Sequence, residues 1–322
     1  MTNVESPDVL SVEDLTMHYT TSAGMVKAVD GVSFSIKRGQ SLGLVGESGC
    51  GKSSIAISLL KLLPDNANII GGQVNLGGID LVPLNEDEMR PLRWNRISMV
   101  FQAAMNSLDP VYRVGDQIIE ALEVHERYTR DEALKRVEEL FELVSLDPGF
   151  ISRYPHEYSG GMKQRAIIAM ALACEPDLVI ADEPTTALDV IVQDRILREL
   201  REIQTRLNMS MIYISHDMAV IAEVSDVMGV MYAGKIVEFG ATSEVFSHPI
   251  HPYSSALMSA FPSITGEKHD LLTLPGEPPD LTDPPEGCRF NPRCAYATDQ
   301  CRTEEPPIVD RDGHWAACWN PL

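Results

Sequence analysis

The length, composition and charge of the chain limit its function before any motif is considered. The chain has 322 residues, of which 47 are Asp or Glu and 26 are Lys or Arg, giving a formal net charge of -21 at pH 7. This acidic balance argues against a nucleic-acid partner, which demands a basic face, and against broad adhesion to an anionic membrane surface. The length suffices for one large domain with a smaller addition, or for two domains.

The apolar segments of the chain are too short for a membrane span. No stretch approaches the roughly 18 apolar residues needed to cross a bilayer. Residues 1–10 have neither the basic start nor the apolar run of a signal peptide. We therefore expect the chain to remain in the cytoplasm, where its six cysteines stay reduced and favour metal or catalytic uses.

The N-terminal part predicts strands that lead into a glycine-rich loop. Residues 9–46 carry short apolar runs separated by turn signals, a pattern typical of antiparallel strands. Residues 40–45 predict a buried strand, and residues 54–60 predict a helix. Between them, residues 46–53 read Gly-Glu-Ser-Gly-Cys-Gly-Lys-Ser, in the strand, loop and helix context of a phosphate-binding loop.

This phosphate loop predicts an ATP or GTP site. Its glycines let the backbone turn tightly and aim N–H groups at phosphates, and the helix N-terminus adds partial positive charge. We predict that Lys52 reaches the β and γ phosphates and that the Ser53 hydroxyl ligates Mg²⁺. The predicted nucleotide-binding residues of this segment are Gly46, Ser48, Gly49, Cys50, Gly51, Lys52, Ser53 and Ser54.

The middle of the chain changes to helical spacing, from about residue 103 to residue 175. The clearest helix is predicted over residues 131–144, where six apolar residues share one face: Ala133, Leu134, Val137, Leu140, Phe141 and Val144. Strand-like runs return at 178–181, 211–215, 227–231 and 235–239. A helical insert therefore divides one α/β core rather than following it.

A second site of nucleotide chemistry is predicted at the end of the run 178–183. This apolar strand ends in two carboxylates, at the position where open α/β sheets place ligand chemistry. We predict that Asp182 holds Mg²⁺ and that Glu183 polarises the attacking water. An apolar run before Asp-Glu is a weak signal alone, and it gains weight from the phosphate loop in the same chain.

A third motif, Tyr-Ser-Gly-Gly-Met-Lys-Gln-Arg at 158–165, places Ser159 and two glycine N–H groups at a predicted helix N-terminus. One chain has no obvious use for two phosphate-binding surfaces on a single nucleotide. The motif resembles the signature of the ATP-binding cassette family, whose subunits pair so that each signature covers the ATP held by the other subunit. That resemblance implies nucleotide contacts from Ser159, Gly160, Gly161 and Gln164.

The resemblance to this family covers about residues 8–250 and implies further roles. Tyr19 matches an aromatic residue against adenine, and Gln102 matches a glutamine that touches Mg²⁺ or the attacking water. His216 matches a histidine that senses the γ phosphate, and Asp189 ends a loop that joins the two subunits. The implied catalytic residues are Gln102, Glu183 and His216, and the implied Mg²⁺ ligands are Ser53, Gln102 and Asp182.

Two positions of the signature depart from the usual family pattern of Leu-Ser-Gly-Gly-Gln. Met162 is familiar in the peptide-importer branch, whereas Tyr158 is less usual and is expected to alter packing beside the partner's ATP.

Four cysteines are concentrated near the C-terminus: Cys288, Cys294, Cys301 and Cys318, separated by five, six and sixteen residues. Structural zinc commonly uses pairs two to four residues apart, which these intervals do not match. Four thiolates also suit a [4Fe-4S] cluster. The residues alone leave cluster and zinc open, with disulfides disfavoured by the expected compartment.

Resemblance favours the cluster. Residues 247–253, 274–279 and 287–294 look like the C-terminal extension of dipeptide and oligopeptide importer ATPases, in which four cysteines are associated with an iron-sulfur cluster. The resemblance therefore implies a [4Fe-4S] cluster, with a structural or sensing role.

The predicted fold is α/β: a P-loop NTPase core with an N-terminal antiparallel β subdomain, an inserted helical subdomain and a small irregular C-terminal extension that bears the cysteines. The expected boundaries are 8–255 for the cassette, 256–287 for a Pro-rich connector and 288–322 for the extension.

The resemblance implies an ATP-hydrolysing subunit that powers import of di- or oligopeptides from the cytoplasmic face of the membrane, using ATP, Mg²⁺ and the cluster. Implied partners are two membrane-spanning permease subunits, a second cassette subunit that is a related chain and, indirectly, an extracytoplasmic solute-binding protein. Short oligosaccharides or nickel are alternative cargoes. A soluble cassette ATPase of DNA repair or translation is a different class of function, which the acidic charge and the extension disfavour.

Overall fold

The computed structural model describes residues 8–102, 107–125, 128–185, 188–259 and 274–322. Its strands are β1 (Asp8–Thr21), β2 (Gly24–Lys37), β3 (Ser41–Val45), β4 (Ala67–Leu76), β5 (Ile79–Asp80), β6 (Ile97–Val100), β7 (Leu178–Asp182), β8 (Ser210–Ile214), β9 (Val227–Tyr232), β10 (Lys235–Ala241), β11 (Ile308–Arg311) and β12 (His314–Ala317). Its helices are α1 (Lys52–Leu59), α2 (Glu86–Met89), α3 (Val114–His125), α4 (Arg130–Leu143), α5 (Gly160–Ala171), α6 (Val190–Leu207), α7 (Met218–Val224), α8 (Thr242–Ser247), α9 (Pro252–Ser259) and α10 (Asp299–Thr303).

The chain forms two compact units, each made from separate stretches of sequence. The phosphate-loop unit contains Leu10–Ser35, Ser41–Val82 and Ile214–Leu322. The helical unit contains Ile36–Gln40 and Pro83–Tyr213. Within the part of the chain that the structure describes, no helix is both long and apolar enough to span a bilayer.

Strands of the phosphate-loop unit belong to two sheets. One has the order β2-β1-β4-β5, with β4 antiparallel to both β1 and β5. The other contributes the order β11-β12-β10-β9-β3, in which β3 and β9 are parallel and the remaining pairs are antiparallel. Every residue of β3 is buried, which explains why this strand reads as a continuous apolar run rather than an alternating one.

The helical unit combines strands in the order β8-β7-β6 with the helices α3, α4 and α5, which contact one another. Strand β6 runs parallel to β7, with Ile97 opposite Leu178 and Val100 opposite Ala181. Helix α4 begins with a capping box, because the Thr129 side chain accepts from the N–H of Glu132 while the Glu132 carboxylate accepts from the N–H of Thr129.

One residue of the predicted apolar face of α4 is exposed rather than buried. Leu134 is 40% exposed, whereas the other five residues of that face are buried. At 3.6 residues per turn, Leu134 lies at the edge of the stripe whose centre is set by Ala133, Val137 and Val144. It lines a shallow surface cavity together with Ile119 and Ile151.

The C-terminal extension is more regular than the sequence suggested. Strands β11 and β12 form an antiparallel hairpin whose turn residues, Asp312 and Gly313, have φ angles of 57° and 86°. Two consecutive residues with positive φ are typical of a type I′ turn, for which Asp-Gly is a strong sequence signal. Strand β12 then pairs with β10, placing Trp315 opposite Phe239.

A buried carboxylate holds three parts of the phosphate-loop unit together. Glu238 in β10 is fully buried and accepts hydrogen bonds from the N–H groups of Ile250 and His251, at 2.8 and 2.9 Å. His314 Nε2 lies 2.7 Å from the same carboxylate. The strand, the segment before α9 and the C-terminal hairpin therefore share one polar centre.

We expect Glu238→Ala to lower the free energy of unfolding by about 3 to 5 kcal/mol, because it leaves two buried N–H groups and the half-buried His314 without their acceptor. Glu305→Ala is the matched control, since the Glu305 carboxylate is exposed and pairs with Lys235 at the surface, and its loss should cost under about 1 kcal/mol. Urea unfolding of both variants tests the difference. Equal midpoints would contradict a stabilising role for Glu238.

Candidate nucleotide site and cysteine cavity

The phosphate loop between β3 and α1 has a backbone that only glycine permits at two points. Gly46 has a φ of 147°, and a Cβ there would lie 2.2 Å from the Met231 carbonyl oxygen. Gly51 has a φ of 110°, and a Cβ there would lie 2.1 Å from the Ala28 carbonyl oxygen. The loop is therefore bounded by backbone on both sides, in a conformation that L side chains rarely adopt.

Lys52 begins helix α1 and lies inside the loop. Its side chain is buried, and Nζ donates to the carbonyl oxygens of Gly46 and Glu47, at 2.7 and 3.1 Å. The neighbouring Cys50 is also buried, and burial raises the pKa of its thiol. The loop, its cation and the N-terminus of α1 together form a site suited to an anion such as a phosphate.

Two further predicted residues belong to the same unit as the phosphate loop. Tyr19 is half-buried in β1, and its hydroxyl lies 3.2 Å from the Ser54 hydroxyl in α1. His216 is exposed and follows β8, immediately before α7. Helix α7 is capped by Asp217, whose carboxylate accepts from the N–H groups of Ala219 and Val220.

In the helical unit, the structure brings Gln102 and Glu183 together. Gln102 Nε2 donates to the Glu183 carboxylate at 2.7 Å. Glu183 follows β7 with a φ of 46°, a left-handed conformation that is uncommon for a residue with a side chain. Asp182, the last residue of β7, is 4% exposed. The arrangement offers one buried and one half-buried carboxylate at the end of a parallel strand.

The signature segment forms the start of helix α5. Ser159 is the N-cap, and its hydroxyl accepts from the N–H of Met162 at 3.3 Å. Ser159 and Gly160 are exposed, whereas the Gln164 side chain is buried. Tyr158 is also buried, and its hydroxyl donates to the Phe150 carbonyl oxygen at 2.7 Å. The exposed part of the segment is therefore the cap and the first glycine.

Asp189 caps helix α6 in the same way, since its carboxylate accepts from the N–H of Val192 at 3.0 Å. Residues 186 and 187 of that loop lie outside the described part of the chain.

The predicted nucleotide residues are thus divided between the units. The phosphate-loop unit contains Tyr19, Gly46, Ser48, Gly49, Cys50, Gly51, Lys52, Ser53, Ser54 and His216. The helical unit contains Gln102, Ser159, Gly160, Gly161, Gln164, Asp182, Glu183 and Asp189.

All four C-terminal cysteines line one cavity in the phosphate-loop unit. The thiols of Cys288, Cys294 and Cys318 each accept a hydrogen bond from the backbone N–H two residues later. The Cys301 sulfur lies 3.3 Å from the Thr298 hydroxyl. An N–H donor to a sulfur favours the thiolate, which is the form in which cysteine binds a metal, but at Cys288 burial outweighs this effect. Burial raises the pKa of the Cys288 thiol to about 11.

A buried histidine lines the same cavity. His251 is 1% exposed, and its Nδ1 accepts from the N–H of Tyr253 at 3.0 Å. Burial lowers the pKa of His251 to about 3, so the ring is neutral and its proton resides on Nε2. Among the described residues, Nε2 has no hydrogen-bond partner. A buried donor beside four thiols suits an acceptor held between them.

The side chains are not arranged as a closed metal centre. Within the described ranges, no three His, Cys, Asp or Glu side chains lie in a geometry that holds a metal ion. The shared cavity, the N–H donors and His251 nevertheless provide a donor set that is chemically appropriate for a thiolate-bound metal or cluster.

Sequence reasoning missed several residues that support these sites. The bond between Glu47 and Arg293 links the phosphate loop to the C-terminal extension, the bond between Glu47 and Tyr253 links it to α9, and His251 lines the cysteine cavity. These four residues had no local signal in the sequence, because they act through contacts between distant parts of the chain. The Asp-Gly turn of the C-terminal hairpin did have a local signal.

A buried parallel strand, a glycine loop against two carbonyl groups, and a buried lysine at a helix N-terminus define a P-loop nucleotide-binding protein. Comparisons with known proteins specify the class. A family model described as ABC transporter matches residues 29–186, and one described as oligopeptide/dipeptide transporter, C-terminal region, matches residues 237–301. The chain belongs to the ABC transporter ATPases, in the oligopeptide and dipeptide branch.

Individual relatives agree with this assignment. A probable peptide ABC transporter ATP-binding protein of Sinorhizobium fredii is 46% identical over 322 residues, covering 98% of this chain and 96% of the relative. The oligopeptide transport ATP-binding protein OppD of Escherichia coli is 43% identical over 316 residues, covering 98% of this chain and 94% of the relative.

A solved structure confirms the fold. The ATP-binding cassette MJ0796, as a dimer in a post-hydrolysis state bound to ADP and Pi, superposes with a TM-score of 0.65 at 25% identity. The match covers 72% of this chain and 98% of the cassette. The predicted cassette fold, with its antiparallel β part and helical part, is therefore confirmed.

We expect Gly51→Ala to raise the Kd for MgADP at least about tenfold, because a Cβ at this position meets the Ala28 carbonyl and the loop must change shape. Gly78→Ala is the matched control, since Gly78 also has positive φ but a Cβ there has open space around it. The control should lose roughly 1 to 2 kcal/mol of stability and keep its Kd. Calorimetric titration of both variants decides, and an unchanged Kd for Gly51→Ala contradicts the prediction.

Proposed function

We propose that this ATPase powers the import of di- or oligopeptides through membrane-spanning permease subunits, from the cytoplasmic face of the membrane. The observation that carries the proposal is the match of residues 237–301 to the C-terminal region of oligopeptide and dipeptide transporters. Near-full-length relatives named as peptide transport ATP-binding proteins support the same cargo class. The extracytoplasmic solute-binding protein would act on the permeases and so reach this chain only indirectly.

The geometry of the phosphate-loop unit supports the roles that we propose for its residues. The N–H groups of residues 46–53 and the Lys52 ammonium would bind the β and γ phosphates, and Tyr19 would pack against adenine. His216, exposed after β8, would contact the γ phosphate. The predicted Mg²⁺ ligands are Ser53 of this unit and Gln102 and Asp182 of the helical unit, and bound Mg²⁺ would neutralise charge that develops on the phosphates.

Glu183 is proposed to deprotonate the attacking water, and Gln102 is proposed to orient the Glu183 carboxylate. The Glu183 carboxylate would accept a proton from the attacking water while the oxygen of that water forms a bond to the γ phosphorus. The bond between the γ phosphorus and the bridging oxygen breaks, and this oxygen leaves as part of ADP. The hydrogen bond from Gln102 Nε2 orients this carboxylate. The left-handed backbone of Glu183 directs its side chain independently of the regular alternation of β7.

A second cassette subunit is proposed to complete each ATP site. The exposed Ser159 cap and the free N–H groups at the start of α5 form a surface for a triphosphate that another subunit holds. Asp189 and its loop would lie at the same subunit contact. The second cassette would be a related chain rather than a copy, as is usual in this branch.

The cysteine cavity is proposed to hold a [4Fe-4S] cluster. The four cysteines would supply the thiolates, and His251 Nε2–H would donate to a sulfur of the cluster. The N–H groups of Phe290, Tyr296 and Asn320 already donate to three of the cysteine sulfurs. A structural role is supported by the lining of the cavity, which includes His251 and Pro252 at the start of α9 and Cys318 to Asn320 after β12.

We expect Glu183→Gln to bind ATP and to lower steady-state hydrolysis by the assembled transporter at least about a hundredfold, as for loss of a general base. Glu202→Gln, an exposed change on α6, is the control and should hydrolyse at the normal rate. Hydrolysis and peptide uptake are measured in proteoliposomes that contain both cassettes and the permeases. Normal hydrolysis by Glu183→Gln would contradict the catalytic role of Glu183. Hydrolysis by the unmodified transporter without peptide uptake would contradict di- or oligopeptides as the cargo.

We expect about four iron and four sulfide per chain in protein purified anaerobically. Cys301→Ser should lose most of both, because the buried sulfur lines the cavity, whereas Cys174→Ala, a core cysteine outside the cavity, should retain them. Iron, sulfide and zinc are measured by elemental and colorimetric assay. One zinc per chain without iron would replace the cluster by a structural zinc site.

A further inference from the structure

Glu47, the second residue of the phosphate loop, is held by two residues from outside the loop. Its N–H donates to the Tyr253 hydroxyl at 3.1 Å. Its carboxylate accepts from both terminal nitrogens of Arg293, at 2.6 and 3.0 Å. Glu47 is therefore fixed through its backbone by α9 and through its side chain by the cysteine-bearing extension.

Arg293 is rigidly placed on the extension. Its side chain is 5% exposed, Nε donates to the Pro275 carbonyl oxygen at 2.8 Å, and a terminal nitrogen lies 3.3 Å from the Tyr232 hydroxyl. It closes the turn Asn291–Arg293, which separates Cys288 from Cys294. A change in the positions of these two cysteines therefore moves the guanidinium that binds Glu47.

The second connection passes through aromatic rings. Tyr253 is fully buried, and its ring centroid lies 4.6 Å from that of Tyr232 and 5.3 Å from that of Phe290. Phe290 lines the cysteine cavity and donates its N–H to the Cys288 sulfur. Both supports of Glu47 thus lead back to the same cavity.

The position of Glu47 matters for phosphate binding because its carbonyl belongs to the inner surface of the loop. That oxygen accepts from Lys52 Nζ at 3.1 Å and from the N–H of Cys50 at 3.3 Å. A bidentate bond between a guanidinium and a carboxylate fixes orientation as well as distance. Displacing Glu47 therefore displaces the lysine that binds the nucleotide and the N–H groups beside it.

We infer that Arg293 is a positioning residue for the phosphate loop, and that it couples the state of the four-cysteine extension to nucleotide affinity through Glu47. The coupling is an equilibrium property, so it acts equally in both directions: ordering of the extension favours nucleotide binding, and bound nucleotide favours the ordered extension. The inference goes beyond the proposed transport function, and it holds whichever metal the cysteines bind.

The first test is nucleotide affinity of the full-length protein, with MgADP as the ligand so that hydrolysis does not interfere. We expect Arg293→Gln and Glu47→Gln each to raise the Kd about fivefold or more, a factor at the lower end of known couplings between sites. Arg293→Lys keeps the charge but not the bidentate geometry, so it should recover part of the affinity. Arg302→Gln, an exposed change beside Cys301, is the matched control and should leave the Kd unchanged.

The second test measures the reverse direction, which a purely structural role for Arg293 would not affect. The rate at which iodoacetamide alkylates Cys294 is followed by peptide mass spectrometry, with and without saturating MgADP. Peptide resolution separates this thiol from Cys50, which the nucleotide itself would shield. We expect MgADP to slow alkylation several-fold in the wild type and in Arg302→Gln, and to have no effect in Arg293→Gln or Glu47→Gln.

If Arg293→Gln does not fold, Arg293→Lys and Glu47→Gln give the answer, because the latter leaves the extension unchanged. A wild-type Kd for these two variants, together with undiminished protection of Cys294 by MgADP, would overturn the inference. These outcomes are independent of transport, since failure to import peptides changes neither the Kd nor the alkylation rate of the isolated chain.

Discussion

The phosphate loop can keep its curve only while two of its residues lack a Cβ, because the carbonyl oxygens of Met231 and Ala28 occupy that space. These oxygens belong to β9 and β2, so strands from both sheets of the phosphate-loop unit define the shape of the loop. The turn between β9 and β10 also contacts the loop, since the N–H of Gly234 donates to the Cys50 carbonyl oxygen. Nucleotide affinity therefore depends on how accurately two sheets are held around one short turn.

Glu47 extends this constraint to the C-terminal part of the chain. Its backbone and its carboxylate are held by Tyr253 and Arg293, whose chain neighbours Pro252 and Cys294 line the cysteine cavity. The buried Glu238 fixes the segment that leads into α9 and Tyr253. The extension thus contributes to the geometry of the nucleotide site as well as carrying the cysteine cavity. This arrangement gives a physical reason for its presence on a cassette whose catalytic motifs lie elsewhere in the chain.

Features that depend on neighbouring residues were predictable from the sequence. The phosphate loop and the Ser159 cap follow from local backbone requirements, and the buried strands read as continuous apolar runs. Contacts between distant residues were not predictable, since 246 positions separate Glu47 from Arg293 and neither belongs to a motif that specifies the other. The left-handed backbone at Glu183 is also invisible in the sequence, because its strain is imposed by surrounding structure. The hairpin differs from these cases, because its Asp312-Gly313 turn has a local sequence signal that the prediction of an irregular extension did not use.

That hairpin has a consequence for the solution behaviour of the protein. Without β12, the strand β10 would present a row of unpaired N–H and C=O groups, a surface on which strands of other molecules can assemble. The hairpin replaces this edge with β11, which has only four residues and carries the exposed charges of Asp310 and Arg311. A short, charged edge is a poor template for intermolecular pairing. The last turn of the chain therefore protects the molecule against aggregation.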